Sequence, residues 1–499
     1  MDTFDTGLPG PTVAVIGLGF SGTATALHLL RRLPAGARLA LFEPAARRGR
    51  GLAYGTRCAS HWLNVPAGRL GWDAGDEAGF LRWLERRHGP HTGGEYVPRM
   101  LLGQYLDEAL ADAERQAAAR GVQTRTWGQA VRSVQRTAGG AERLRLDDGR
   151  TLDVDAVLVA SGHLATQVPR VGGGAAWGEP GMVADPWEES ALAALSALPD
   201  AAEVLLLGSG LSAIDVVTWL QDQGHAGRVT LLSRRGLLPQ PQHVQESLPL
   251  PPGPLADALQ QWLAPAEAPA LPLAARLRAL RTLAGRAAAQ GVDWRQLMAS
   301  LRRATPALWQ QLDGRQRRQF LRHLQPWWDT HRHRLAPGIQ GRLDAARAAG
   351  RLDVQAGRLD RVERLADGSL VATWRPRGTG PAGQRQVAAV VNCTGPSAQV
   401  GRAPHTAAGG LWQALQAQGR LQVDALGLGV NVDRVGRLLD AEGHPQPALF
   451  YVGPLRKAQD WEAIAIPELR VHAALAAAAV CDVVEANAQR RPAAATIWS

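Results

Sequence analysis

Lysine is almost absent from this chain: all but one of its 55 basic residues are arginine, the exception being Lys457. They outnumber 45 acidic residues, for a formal net charge of +10, yet they are scattered and not gathered into a tail or block. A nucleic-acid binder concentrates its positive charge on one face or arm. That class is set aside, and an arginine-rich surface favouring anionic small molecules is expected. Cysteine is equally scarce. Cys58, Cys393 and Cys481 lie far apart with no CxxC, which excludes a closely spaced redox dithiol and a disulfide framework and fits a reducing cytoplasm. The histidines have no cysteine or acid at metal-ligand spacing, so no metal site is expected. Long hydrophobic runs are missing as well. The most apolar late stretch, residues 473–480, falls far short of the roughly 20 residues a bilayer requires, and reads as a buried helix. The opening MDTFDTGLPG carries acids where a secretory leader has a basic and then an apolar segment. A soluble cytoplasmic protein is expected. With 499 residues the chain is too long for one small core, so two or three domains follow.

What the chain does have is one pattern written twice. Residues 12–43 read TVAVIGLGFSGTATALHLLRRLPAGARLALFE: an apolar run, a glycine turn, helical spacing, a second apolar run and an acid. Gly17 permits the turn, Gly19 leaves room for a pyrophosphate where a Cβ would stand, and Gly22 lets the helix lie on the strand. The helix N-terminus then offers unpaired N–H groups and the positive end of its dipole to the phosphates. Glu43, at the end of the second run, is placed to accept the hydroxyls of an adenosine ribose. Residues 204–235 repeat the design with Gly208-Ser209-Gly210-Leu211-Ser212-Ala213, alanine being the allowed variant at the third position. This copy ends in Ser233-Arg234-Arg235 and not in an acid. An acid there would repel a 2′-phosphate, whereas two guanidinium groups can make charge-assisted bonds worth about 1.5–3 kcal/mol each. NADPH is therefore expected over NADH, the alternative being a solvated surface pair.

Around the two copies the periodicity alternates. Residues 80–85 and 100–120 have helical spacing, and residues 131–159 switch to period two with turns at Gly139-Gly140 and Asp148-Gly149, predicting an antiparallel meander. A Pro/Gly-rich linker spans 168–186. Residues 255–350 are helical and rich in Arg, Leu and Trp. Within them Trp327-Trp328-Asp329-Thr330-His331-Arg332-His333-Arg334 is either the lining of a pocket for a planar anion or a helix with one aromatic and one solvated basic face. Residues 352–374 predict a hairpin around Asp367-Gly368. Residues 387–391 predict a strand ending in Asn392-Cys393-Thr394-Gly395-Pro396, an echo of the earlier Ala160-Ser161-Gly162. A last strand ends at Gly453, a further cofactor-binding candidate. The phrase WEAIAIPELR then leads into a final helix whose first turn accommodates Pro467 and whose N-terminus suits the electron-rich end of a flavin ring. The expected fold class is α/β, with two Rossmann-like dinucleotide-binding domains, antiparallel meanders and a helical insertion. The expected division is a discontinuous FAD-binding domain (1–170 and 385–499), an NADPH-binding domain (186–250 and 351–384) and a helical insertion (251–350).

Two dinucleotide modules in one chain, the first ending in an acid and the second in arginines, is the organisation of flavoproteins that take a hydride from NADPH onto FAD. The phrases GLGFSGTATALHLL, RGRGLAYGT, HWLNVPAG, YVPRMLLGQYL, LLLGSGLSAIDVV, SRRGLLP, VNCTGP and WEAIAIPELR together resemble the bacterial FAD/NAD(P)-binding family that includes an FAD-dependent urate hydroxylase of the HpyO type. The resemblance implies that Gly17, Gly19, Ser21, Gly22 and Glu43 hold the FAD adenosine and pyrophosphate, that Gly51, Asn64 and Val65 lie near the flavin, and that Gly208, Ser209, Gly210, Ser212, Arg234 and Arg235 hold NADPH. It implies a single-chain monooxygenase that uses NADPH and O₂ to hydroxylate a small electron-rich substrate, urate giving 5-hydroxyisourate. Better-known flavin monooxygenases of this organisation carry Phe-x-Gly-x-x-x-His before the second glycine turn. Here the corresponding stretch, Gly181-Met182-Val183-Ala184-Asp185-Pro186-Trp187, has no histidine, so a strict equation with Baeyer–Villiger or N-hydroxylating enzymes does not follow. Two other readings remain open: a reductase passing electrons to another acceptor, and a flavin- or nucleotide-binding sensor without catalysis.

Overall fold

The computed structural model describes residues 10–45, 47–243, 248–264, 272–402 and 407–490. Residues 1–9, which carry most of the opening phrase, lie outside them. The chain begins with β1 (Thr12–Ile16), the helix Phe20–Arg32, β2 (Arg38–Phe42) and, after the helix Arg99–Ala119, β3 (Gln123–Trp127), all three strands running parallel. Three short antiparallel strands follow, β4 (Val131–Arg136), β5 (Glu142–Leu146) and β6 (Thr151–Val154), before β7 (Ala156–Val159) pairs parallel with the other edge of β1. β1 is buried along its whole length because it is covered twice. Val13 and Val15 pack into a core shared with the helices Phe20–Arg32, Arg99–Ala119 and Ile466–Arg490, while Ala14 and Ile16 face the meander and Trp412. The strand period of two thus assigns alternate residues to opposite layers.

The same plan recurs after the linker. β8 (Met182–Val183), β9 (Val204–Leu207), β10 (Val229–Ser233), β11 (Leu352–Arg364), β12 (Leu370–Pro376), β13 (Gly383–Val387) and β14 (Ala389–Asn392) form one sheet in the order β13-β12-β11-β10-β9-β14-β8. Val204 and Leu206 pack on the helices Leu211–Asp222 and Pro337–Ala348, and Leu205 and Leu207 pack on the β11–β12 hairpin. The chain then returns to the first sheet through β15 (Arg437–Leu439) and β16 (Pro445–Tyr451), giving the order β15-β16-β7-β1-β2-β3.

Two expected boundaries move. Residues 389–392, assigned from sequence to the first domain, pair with β9 from Ala389↔Val204 to Asn392↔Leu207 and belong to the second. The echo between Ala160-Ser161 and Asn392-Cys393 has a physical cause: β14 stands to β9 as β7 stands to β1. The second shift is at residue 337. The helix Pro337–Ala348, expected within the insertion, supplies the crossover between the parallel neighbours β10 and β11, which cannot be joined by a tight turn. The insertion therefore ends before it. Its helices Pro254–Leu263, Leu273–Ala289 and Trp294–Leu301 share a small core of their own. Its later part docks on the first domain by packing Trp309 and Phe320 around Trp461, at ring-centroid distances of 4.6 and 5.0 Å. Among the described residues no helix is long and apolar enough to cross a membrane.

Candidate active site

The first glycine turn is as tight as its sequence requires. Gly17 has φ +95°, and a Cβ there would stand 2.5 Å from the carbonyl oxygen of Ala160. One on Gly22 would meet Gly17 O at 1.8 Å, so only glycine lets the helix Phe20–Arg32 start this close to β1. Gly19 is the extended residue before that helix, which has no side-chain cap. Its first-turn N–H groups, at buried Ser21 and Gly22 among them, are left for a ligand. Gly51 has φ +54° and approaches the same turn, where a Cβ would lie 2.7 Å from Gly19 Cα. The residue expected near a flavin ring is thus set against the first glycine turn. Glu43 has a second task that the sequence did not announce: Oε2 accepts from Leu18 N at 2.9 Å and Oε1 from Ala45 N at 3.1 Å. Both oxygens keep lone pairs for a ribose while the carboxylate pins the turn. Gly453 ends β16 beside β7, where Val452 N donates to Val159 O at 3.0 Å; a Cβ on it would meet Tyr451 Oη at 2.6 Å.

The second turn repeats this geometry. Gly208 has φ +117°, and a Cβ would stand 2.4 Å from Cys393 O, the counterpart of Ala160. Gly210 precedes the uncapped helix Leu211–Asp222 with open space beside it, and Ser212 is half-buried in the first helical turn. The Ser209 hydroxyl is engaged within the protein: its Oγ donates to Leu237 O at 2.6 Å and lies 2.8 Å from Ser233 Oγ. At the end of β10 Arg234 is exposed, whereas Arg235 is half-buried and spends one N–H on Arg322 O of the insertion at 3.1 Å.

The segment 58–66 meets the helix that follows the second turn. His61 Nε2 lies 3.2 Å from Asp215 O, and the Arg99 guanidinium bonds Asp215 Oδ2 at 2.7 Å while standing 5.4 Å from the Trp187 ring centroid. Burial lowers the pKa of His61 below its ordinary value. The seven residues that lack the histidine signature thus supply β8 and Trp187, which packs edge-on against His61. Beyond this junction, Asn64 and Val65 line a cavity of about 350 Å³ together with Ala465 and, from the insertion, Leu259, Met298, Arg302, Arg332, His333 and Arg334. WWDTHRHR is therefore divided: Arg332, His333 and Arg334 face the cavity, whereas Trp327 remains nearly half exposed. The acids of WEAIAIPELR hold that wall. Glu468 takes Arg302 in two bonds of 2.5 and 2.7 Å, and Glu462 accepts from Arg332 Nε at 3.1 Å. Sequence reasoning missed Arg69, Tyr96, Arg302 and Arg303 in this lining. The adjacent pair Arg302-Arg303 was the available signal, but a helical insertion full of arginine hides it. Among the described residues no cluster of His, Cys, Asp or Glu could hold a metal ion.

Two uncapped glycine turns, each closed by a carbonyl that a Cβ would strike, thus stand on two sheets built to the same plan. Residues 14–164 match the family model described as FAD-NAD(P)-binding. No curated protein sequence matches the chain. Solved structures are similar in fold. An ornithine N-hydroxylase of Kutzneria sp. 744, solved with reduced FAD, NADP+ and L-ornithine, has a TM-score of 0.61 at 16% identity, covering 96% of this chain and 100% of that one. An ornithine hydroxylase of Pseudomonas aeruginosa has a TM-score of 0.58 at 15% identity (95% and 100% covered). The FAD-bound cadaverine monooxygenase of Erwinia amylovora has a TM-score of 0.54 at 14% identity (98% of both chains). Identities this low carry the fold and not the reaction.

Proposed function

We propose that this protein is an NADPH-dependent FAD monooxygenase acting on a small electron-rich anion, with urate the first compound to try. The observation that carries the reading is the pairing of two glycine turns of opposite ending, Glu43 against Arg234-Arg235, with a cavity walled by arginine between the first domain and the insertion. The turns fit the cofactors, since each presents uncapped N–H groups where a side chain would be in the way. FAD, once bound, supplies the redox chemistry that reduces O₂ and delivers one oxygen atom. The chain supplies the rest. The first turn and Glu43 hold the adenosine and pyrophosphate, and Arg234 and Arg235 select the 2′-phosphate. Leu250, Leu259 and Met298 form an apolar part of the cavity wall that keeps water from the reacting face. Arg302 and Arg332 are neutralised from behind by Glu468 and Glu462, so they set the shape of the wall and its hydrogen bonds more than its net charge.

The test is urate-dependent consumption of NADPH and O₂ by the purified yellow protein, with product identified by its ultraviolet spectrum. NADPH oxidation that yields only peroxide and ignores urate removes urate. Failure of NADPH to bleach the flavin without air removes the monooxygenase altogether.

A further inference from the structure

Among the described residues, five arginines and no acid line the cavity: Arg69, Arg302, Arg303, Arg332 and Arg334. Four of them have a carboxylate or solvent beside them. Arg302 and Arg332 are paired with Glu468 and Glu462, Arg69 lies 4.0 Å from Glu77, and Arg303 is exposed. Arg334 differs. It is 9% exposed, and its Nε and Nη1 have no hydrogen-bond partner among the described residues. Its guanidinium stands 5.7 Å from the centroid of the Trp294 ring. The nearby acid, Asp293, is taken by Arg295, whose Nη1 reaches both carboxylate oxygens at 3.2 and 2.9 Å. Burial, with Arg332 and Arg295 close by, pulls the Arg334 pKa down to about 10, so it stays charged at neutral pH.

A buried guanidinium without a counter-ion is costly, because desolvation is not repaid by an anion or by hydrogen bonds. Its position is also held from both sides. Leu335 N donates to Gln240 O at 2.9 Å and Gln242 N donates to Leu335 O at 2.7 Å, so the residue after Arg334 is stitched to the chain leaving the second turn. Other parts of the lining, Leu250, Leu259 and Met298, are apolar.

We infer that the cavity takes a small organic monoanion, its oxyanion seated on Arg334 and its less polar body against Leu250, Leu259 and Met298. The chemistry is that of a delocalised oxyanion, which a carboxylate and a urate-type purine anion both possess. Calling this anion the substrate rests on the monooxygenase reading; its binding does not.

The experiment is calorimetric titration of the oxidised, FAD-loaded protein without NADPH, using benzoate, urate and the neutral benzamide as probes. Wild type binds at least one of the two anions, and benzamide at least tenfold more weakly than benzoate where benzoate is the ligand. Arg334→Met weakens the bound anion at least tenfold, and Arg334→Lys recovers part of that loss. Unliganded Arg334→Met melts no lower than wild type, because the variant removes a buried charge that no described residue pairs, and this separates a binding role from a structural one. Binding of benzoate alone assigns the seat to carboxylates, and of urate alone to purine anions. The inference is overturned if neither anion binds, if benzamide binds as well as benzoate, or if Arg334→Met stays within twofold of wild type. Anion binding that survives in a protein whose flavin NADPH cannot reduce would overturn the monooxygenase reading and leave this one standing.

Discussion

Replacing Arg234 with alanine should change which coenzyme the protein prefers while sparing its fold. Arg234 is exposed at the end of β10, and no protein hydrogen bond engages its guanidinium among the described residues. Arg235 already gives one N–H to Arg322 O, so a 2′-phosphate would lean on Arg234 first. A charge-assisted hydrogen bond at an exposed site belongs at the lower end of its range, about 1.5 kcal/mol. At about 1.4 kcal/mol per factor of ten, the loss is about twelvefold in affinity for NADPH. NADH has no 2′-phosphate and should change by less than twofold. The measurement is the concentration dependence of anaerobic flavin reduction, run with both coenzymes on the same preparation. A parallel loss for NADPH and NADH, or an unchanged ratio between them, would refute the 2′-phosphate role. Adding Arg235→Ala should deepen the NADPH defect and also loosen the insertion, read as faster proteolysis near residue 322.

Gly22→Ala forces a methyl group to within 1.8 Å of Gly17 O; the expected product is purified without FAD and melts several degrees lower, and a yellow protein of wild-type stability would contradict the packing argument. Glu468→Gln strips Arg302 of its carboxylate at a site where both side chains are less than one-fifth exposed, costing about 3 kcal/mol in urea unfolding. The double variant Arg302→Met with Glu468→Met should recover at least half of that loss, and an unshifted midpoint in the single variant would rule the clamp out. Stability should also fall in mild acid. Burial lowers His28 to about 4 and His472 to about 3, against about 6.5 in an unfolded chain. The unfolded state therefore takes up protons first, so nothing is lost above pH 6.5 and stability declines as the pH drops from there toward 4, by at most about 1.4 kcal/mol per pH unit for each imidazole. His28→Leu should flatten that slope, and a slope unchanged in the variant would place the proton uptake elsewhere.

The elements legible from sequence were those whose cause is local. Gly17 and Gly22 sit where a Cβ cannot, and β1, β2, β9 and β10 are mostly apolar and almost wholly buried because both faces of each are covered. The echo at Asn392-Cys393 was legible as a pattern but not as a partner, since strand pairing is set by contacts such as Asn392↔Leu207, far apart in the chain. The crossover role of the helix Pro337–Ala348 was hidden for the same reason. In the cavity, Arg332 to Arg334 stood out through the aromatic and basic residues around them. Arg302 and Arg69 did not, because in a chain with so many arginines only a three-dimensional partner such as Glu468, 166 residues away, marks one as placed. The double use of Glu43 was likewise invisible, because a carboxylate that closes its own turn has the same spacing as one that only awaits a ribose.

β10 and β11 are parallel neighbours, and a connection between such strands needs about a dozen residues. The helix Pro337–Ala348 provides twelve. Everything between Arg235 and that helix is therefore surplus to the sheet, and it is this surplus that contributes Leu259, Met298, Arg302 and Arg334 to the cavity. Most of the cavity's lining therefore rides on a stretch that the second sheet does not need, apart from the two scaffolds that carry the glycine turns. Exchanging residues 236–336 for the equivalent stretch of a protein with the same fold would alter what enters the cavity and leave the parallel register from Val229↔Leu352 to Ser233↔Ala356 as it is.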